Sequence, residues 1–364
     1  MRACIVGGGL AGTLLAWRLA RATRGWQIDL VTGERVRADA TAASGGAVRA
    51  YERHPEQRRL AVASMVELLA SRALREWAHY REVGSAYLRP SADGLDLEVA
   101  DVDLMLPGSV ELTSAAELTG LGWADVHNGA TGVLERRAGY ILPVRLRDRL
   151  LADRAVRRGV SVVPAAVTAV TPGAGSIGCG LAGRRRDYDI VVLAAGAWTP
   201  ALLRSAGLPA DGYRTKSIQY SVHPAGEWRP PPFVDEVSGL YGRPTEDGGL
   251  LLGLPTEDWD VDPDRPPKSR TLPDKASRLA SDRFPKLHIG PATRQVGSAD
   301  CYLARPVLAL RPVLDSEHRL FTFSGGSGGS VKTALAASHR AAIQLMESGH
   351  TTDLTSVEPR EGQP

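Results

Sequence analysis

The sequence predicts an α/β fold in which a doubly wound parallel sheet is interrupted by a mainly antiparallel β domain. Three observations carry that expectation. A glycine-rich turn, Gly7-x-Gly9-x-x-Gly12, sits between a short apolar run and a helical pattern. A second apolar run, of the kind buried on both faces of a sheet, follows far along the chain at 190–195. The stretches 87–110 and 217–254 alternate apolar and polar residues with frequent Gly and Pro, which is the pattern of antiparallel strands.

Taken in order, residues 3–6 form the first strand and 10–22 the helix after the turn. The apolar segment 28–31 returns as a parallel strand, closing a βαβ unit of roughly 30 residues. The stretch 55–82 reads as one long amphipathic helix with Leu60, Met65, Leu68, Leu69 and Leu74 on its apolar side. A helix over 144–158 leads into a strand at 160–163. Prolines mark 230–232 and 263–273 as loops, and 320–323 is an apolar strand before a last helix. The expected organisation is one discontinuous domain from 1–82, 139–212 and 300–348, a second from 83–138 and 213–299, and a frayed tail at 349–364.

With 364 residues the chain exceeds what one hydrophobic core usually organises, which excludes peptide hormones, small binding modules and disulfide scaffolds. Its 43% hydrophobic and 23% charged residues are ordinary for a globular chain. The net charge is only +3, and the arginines are interleaved with Asp and Glu, so no nucleic-acid footprint is expected. Cys4, Cys179 and Cys301 are too scattered for a disulfide framework or a zinc site, and a reducing cytoplasm fits best. The N-terminal apolar stretch is cut by Gly7, Gly8, Gly9 and Gly12 and does not read as a signal peptide. No apolar run reaches the ~18 residues of a membrane span.

Each glycine of the turn has a physical role. Gly7 permits the tight turn, Gly9 lets a pyrophosphate approach the backbone, and Gly12 lets helix and strand pack closely. The first helical amides, at Leu10 and Ala11, then face the phosphates. An acidic ribose ligand is expected about 20 residues further on, where the sequence has Thr32. Glu34, two residues later, is the alternative to Thr32 with a backbone group.

Two later segments make a family resemblance specific. Asp189-Ile-Val-Val-Leu-Ala-Ala195-Gly196-Ala-Trp198-Thr-Pro200 resembles the late strand and turn of the D-amino-acid oxidase family of FAD enzymes, which includes glycine oxidase and monomeric sarcosine oxidase. Gly325-Gly326-Ser327-Gly328-Gly329-Ser330-Val331-Lys332-Thr333 resembles its glycine-rich flavin loop. The resemblance spans most of the chain, from Arg2 to about Met346. It implies a Rossmann-like FAD-binding domain of the glutathione-reductase type with an inserted antiparallel substrate domain. Backbone amides of such a loop suit the negative charge of a reduced isoalloxazine.

Within the resemblance, Thr41-Ala-Ala-Ser44-Gly45-Gly46 matches a second loop touching phosphate and flavin, and Val167 matches the position whose backbone meets adenine. Arg305, in Arg305-Pro306 through Arg311-Pro312, is similar to the arginine that holds a substrate carboxylate through its planar fork of donors. Arg49 is the second cation expected near the flavin; a phosphate-neutralising or surface arginine is the alternative. Cys301 lies where sarcosine oxidase-like enzymes attach the flavin through a thioether, although a buried unreactive thiol is the commoner state. Leu251 stands where those relatives carry a lysine that helps dioxygen accept an electron, so slow reoxidation is expected.

The implied activity is FAD-dependent oxidation of a C–N bond in an amino acid, imino acid or secondary amine bearing a carboxylate. A dehydrogenase using an acceptor other than dioxygen and a flavin hydroxylase are the competing readings. No nucleic-acid, metal or membrane partner is expected.

Overall fold

Alternate residues of one strand decide the layering. In a computed structural model describing residues 1–33, 39–313, 316 and 318–354, Ala3 and Ile5 point into one core and Cys4 and Val6 into another. Strand Arg2–Val6 therefore lies buried on both faces, within a six-stranded sheet ordered Ala309–Pro312, Leu320–Ser324, Ile190–Leu193, Arg2–Val6, Gln27–Val31, Val160–Val163. All its neighbours pair in parallel except the edge strand Ala309–Pro312. Helices Leu10–Ala22, Pro55–Ala70 and Ser330–Leu354 cover one face. A three-stranded antiparallel sheet, Val167–Gly173, Ser176–Leu181 and Arg184–Tyr188, covers the other. Each fully buried aliphatic side chain in these layers, such as Ile5 or Leu14, contributes about 1.5–3 kcal/mol.

The second body is an eight-stranded sheet ordered Arg294–Tyr302, Arg214–His223, Leu250–Gly253, Tyr241–Pro244, Phe233–Asp235, Ser85–Arg89, Thr131–Glu135, Val110–Ser114. Its two sequence segments meet where Phe233–Asp235 pairs in parallel with Ser85–Arg89, a single parallel step in an otherwise antiparallel sheet. Trp123, Phe233 and Phe284 meet edge to face beneath it, with centroids 4.9 to 5.9 Å apart. Strand Arg294–Tyr302 runs across the boundary expected at 300 and belongs to this sheet throughout.

Several elements differ from the sequence expectation, each for a local reason. The helix expected over 55–82 is two, Pro55–Ala70 and Arg72–Ala78, because the Ser71 hydroxyl accepts from the Leu74 amide at 3.2 Å and caps a new start. Asp153 does the same to the helix expected over 144–158, accepting from Ala155 N at 2.8 Å and dividing it into Pro143–Ala152 and Arg154–Gly159. Within 87–110 the chain forms helix Leu95–Asp103 rather than strands only: Leu95 and Val102 bury one helical stripe, and Asp96 and Glu98 sit in the first turn. The proline-rich loop ends where helix Leu272–Arg283 begins. The last helix runs through Ser348 to Leu354. Glu34 and 355–364 lie outside the described residues.

Candidate active site

A cavity of about 1130 Å³ opens between the C-terminal ends of the parallel strands and one face of the eight-stranded sheet, the crevice where doubly wound folds bind ligands. The glycine turn forms its floor. Gly7 has φ +131°, and a Cβ there would stand 2.2 Å from Ala194 O; one on Gly12 would stand 2.1 Å from Gly7 O. Gly9 faces the cavity, where only Thr41 Oγ1, at 3.2 Å, would meet an added Cβ. That same hydroxyl accepts from the Leu10 amide at 2.9 Å, joining the 41–46 loop to the helix start.

Toward one end, Thr32 and Val167 line the wall, Thr32 N donating to Val163 O at 3.0 Å and its methyl packing beside Gly8. Ala11, Ser44, Gly45, Gly46, Ala195, Gly196 and Trp198 also border the space. Trp198 Nε1 donates to Asp264 at 3.2 Å. The late loop contributes Gly326 to Lys332. Its shape is held by Ser327 in a left-handed conformation, φ +67°, and by hydrogen bonds from Ser327 N to Cys301 O and from Gly328 N to Tyr302 Oη, both 3.2 Å.

Two basic side chains of the wall share one acid. Arg49 Nη2 lies 2.8 Å and Lys332 Nζ 2.5 Å from Glu52 Oε1, all three side chains close to nine-tenths buried. Burial acts to raise the Glu52 pKa, yet the charges of Arg49 and Lys332 outweigh it and hold the carboxyl below the usual range. Burial, followed by the neighbouring Arg49 charge, pulls Lys332 below the ordinary lysine range. Behind them Glu135 accepts from Ala50 N at 2.7 Å and Tyr51 N at 3.1 Å, fixing the backbone beside Arg49. Its pKa is pushed up by burial despite those amides.

Arg305 stands elsewhere. Its side chain is 70% exposed and both ends of its fork meet Glu56, in the first turn of helix Pro55–Ala70, outside the cavity lining. Cys301 lines the cavity but is 1% exposed, and burial, then the Asp300 charge, push its thiol up to about 12. A protonated thiol is a poor nucleophile, and nothing here indicates a covalent link.

Among the described residues, a glycine turn at the end of the first parallel strand, a glycine-rich loop before the last helix and a dinucleotide-sized cavity joining them coincide in one chain. Residues 2–342 match the family described as DAO, FAD dependent oxidoreductase. The chain belongs to this family, and FAD is its cofactor. As a DAO-family protein it is similar in fold to L-proline dehydrogenase from P. horikoshii (TM-score 0.77, 16% identity, covering 95% of this chain and 93% of that one). It is likewise similar to glycine oxidase from Geobacillus kaustophilus (0.77, 16%, 95% and 95%). A third such structure is L-alpha-glycerophosphate oxidase from Mycoplasma pneumoniae with FAD bound (0.78, 17%, 95% and 94%). No curated protein matches the sequence at a significant level. No helix among the described residues is long and apolar enough to cross a membrane.

The residues present fit FAD: the Gly9 backbone is open to a pyrophosphate, and the late loop leaves backbone groups along the cavity. Three residues at or just behind the wall escaped the sequence reading: Asp300 and Arg243 line the cavity, and Glu52 stands behind Arg49 and Lys332. Glu52 and Asp300 are single acids with no motif around them. Arg243 lies in Tyr241-Gly-Arg-Pro244, where nothing in the pattern tells a cavity-facing cation from a surface one.

Proposed function

We propose that this DAO-family chain oxidises a C–N bond in an amino acid, imino acid or secondary amine that carries a carboxylate. The supporting observation is the Arg49–Glu52–Lys332 cluster, whose two cations line the cavity. Arg49 and Lys332 line the cavity while sharing Glu52, with Glu135 the further acid in reach of both charges, and a substrate carboxylate would seat beside the two cations. A charge-assisted pair in such a site contributes about 1.5–3 kcal/mol. The carboxylate role expected of Arg305 passes to this pair.

Bound FAD would supply the redox chemistry, taking a hydride from the α-carbon at N5 and leaving an imine for water to hydrolyse. The chain's own part is positioning and exclusion of water. Arg49 is held in place by its Nε donating to Tyr51 O at 3.0 Å and by the Tyr87 ring 4.8 Å from its Cζ. Phe233, Leu251 and Leu254, each buried, give the sheet wall an apolar character. Removing a hydride from a neutral amine needs little acid–base help once geometry is fixed, in keeping with a wall without a histidine pair or a Ser-His-Asp arrangement among its lining residues.

The test is anaerobic mixing of the yellow protein with a panel of amino and imino acids. Bleaching of the visible flavin band by members of the panel, with bleaching weakened by Lys332→Met, is the expected result. A flavin reduced by no amine, or only by hydroxy acids or glycerol phosphate, would overturn the assignment.

A further inference from the structure

Arg243 is a buried cation without an anion. It is 8% exposed and lines the cavity. Its Nε donates to Gly45 O, its Nη1 donates to Pro244 O at 2.7 Å, and its Cζ lies 4.3 Å from the centroid of the Tyr140 ring. Among the described residues no carboxylate is in ion-pair contact with it, and Nη2 has no protein acceptor. Glu246, whose charge reaches it, is paired instead with His79 and Arg81. A guanidinium so placed has given up hydration and gained only dipoles and a ring face in return.

Its position gives that charge a use. Arg243 lies directly across the strand pair from Leu251, and both side chains reach Gly45: the arginine through its carbonyl, the leucine with Cδ1 3.7 Å from where a Gly45 Cβ would stand. The two therefore share one face of the sheet and border the cavity beside the 41–46 loop, which also joins the glycine turn through Thr41. We propose that Arg243 is the fixed positive charge that lets dioxygen act as electron acceptor in this chain, despite the apolar residue at 251.

Bound FAD, once reduced, would supply one electron to dioxygen to form the superoxide anion. A second electron, one proton from the reduced flavin and one from solvent would complete hydrogen peroxide and leave FAD oxidised. The first transfer creates a negative charge in a water-poor pocket, where a preorganised cation lowers its cost far more than in water. The inference rests on FAD occupying the cavity and not on the identity of the amine.

Reoxidation of dithionite-reduced holoprotein by oxygenated buffer, followed by stopped flow, tests it without any amine. The native protein should reoxidise rapidly, Arg243→Lys should stay within about threefold of it, and Arg243→Gln should be ten- to a hundredfold slower with full flavin content. The midpoint potential of bound flavin should also fall in Arg243→Gln, since a cation beside an electron acceptor is lost. Should Arg243→Gln fail to retain flavin, Arg243→Gln with Leu251→Lys returns a cation to the same face and should reoxidise nearly as fast as the native protein. Equal rates and potentials in the Lys and Gln variants would overturn the proposal. So would native reduced protein that persists in air.

Discussion

Lys332 and Glu52 meet at 2.5 Å with both side chains largely buried, although 280 residues separate them in the chain. The contact ties the first turn of the last helix to the segment just before helix Pro55–Ala70, and Arg49 completes it from the same side. It is where segments far apart in the chain bring Arg49 and Lys332 together along the cavity.

Lys332→Met should weaken binding of carboxylate substrates roughly ten- to a hundredfold, the equivalent of losing about 1.5–3 kcal/mol of charge-assisted bonding, while flavin content stays intact. Titration of the flavin spectrum with a carboxylate ligand measures this. An unchanged dissociation constant would remove Lys332 from the substrate site.

Gly9→Val should give colourless or insoluble protein. The side chain would start 3.2 Å from Thr41 Oγ1, the group that accepts from the Leu10 amide, and fill the approach to the pyrophosphate. Flavin-to-protein absorbance ratios read the outcome, and a full complement of FAD would refute the placement.

Much of this was legible in the sequence, and the reason is locality. Gly7, Gly9 and Gly12 act within one turn, so their spacing alone describes the chemistry. Ser71 and Asp153 are N-cap residue types in otherwise continuous helical patterns, and each marks a break that periodicity alone passes over. The Arg49–Glu52–Lys332 cluster was not readable, because tertiary topology rather than spacing brings its members together. Arg305 shows the converse: an Arg-Pro motif in a family-like place, whose side chain is captured by Glu56 on a helix that the linear order keeps 249 residues away.

Arg305→Leu, accordingly, should leave substrate affinity and flavin content unchanged within twofold, since its ion pair with Glu56 lies at the surface and is screened. Steady-state KM with any active amine decides this. A tenfold rise would return Arg305 to the site.

Asp300 should make stability depend on pH in an unusual direction. Burial pushes its carboxyl up to about 7, and the Cys301 amide at 2.8 Å only partly offsets this. Such an acid binds more protons folded than unfolded between about 4 and its native value, so its contribution to stability is present at low pH and lost as pH rises through that window. The Tm difference between Asp300→Asn and the native protein should therefore shift in favour of the variant from pH 4 to pH 7. A difference that is flat with pH would show that the carboxyl titrates normally.

The most direct test of the central claim compares each amine with its decarboxylated counterpart, for example proline with pyrrolidine, by anaerobic bleaching of the purified yellow protein. The Arg49–Glu52–Lys332 wall predicts reduction by at least one carboxylate-bearing amine, and reduction at least tenfold weaker or absent with the counterpart that lacks the carboxylate. Equal bleaching by both members of every active pair, or a flavin that no amine reduces, would contradict it.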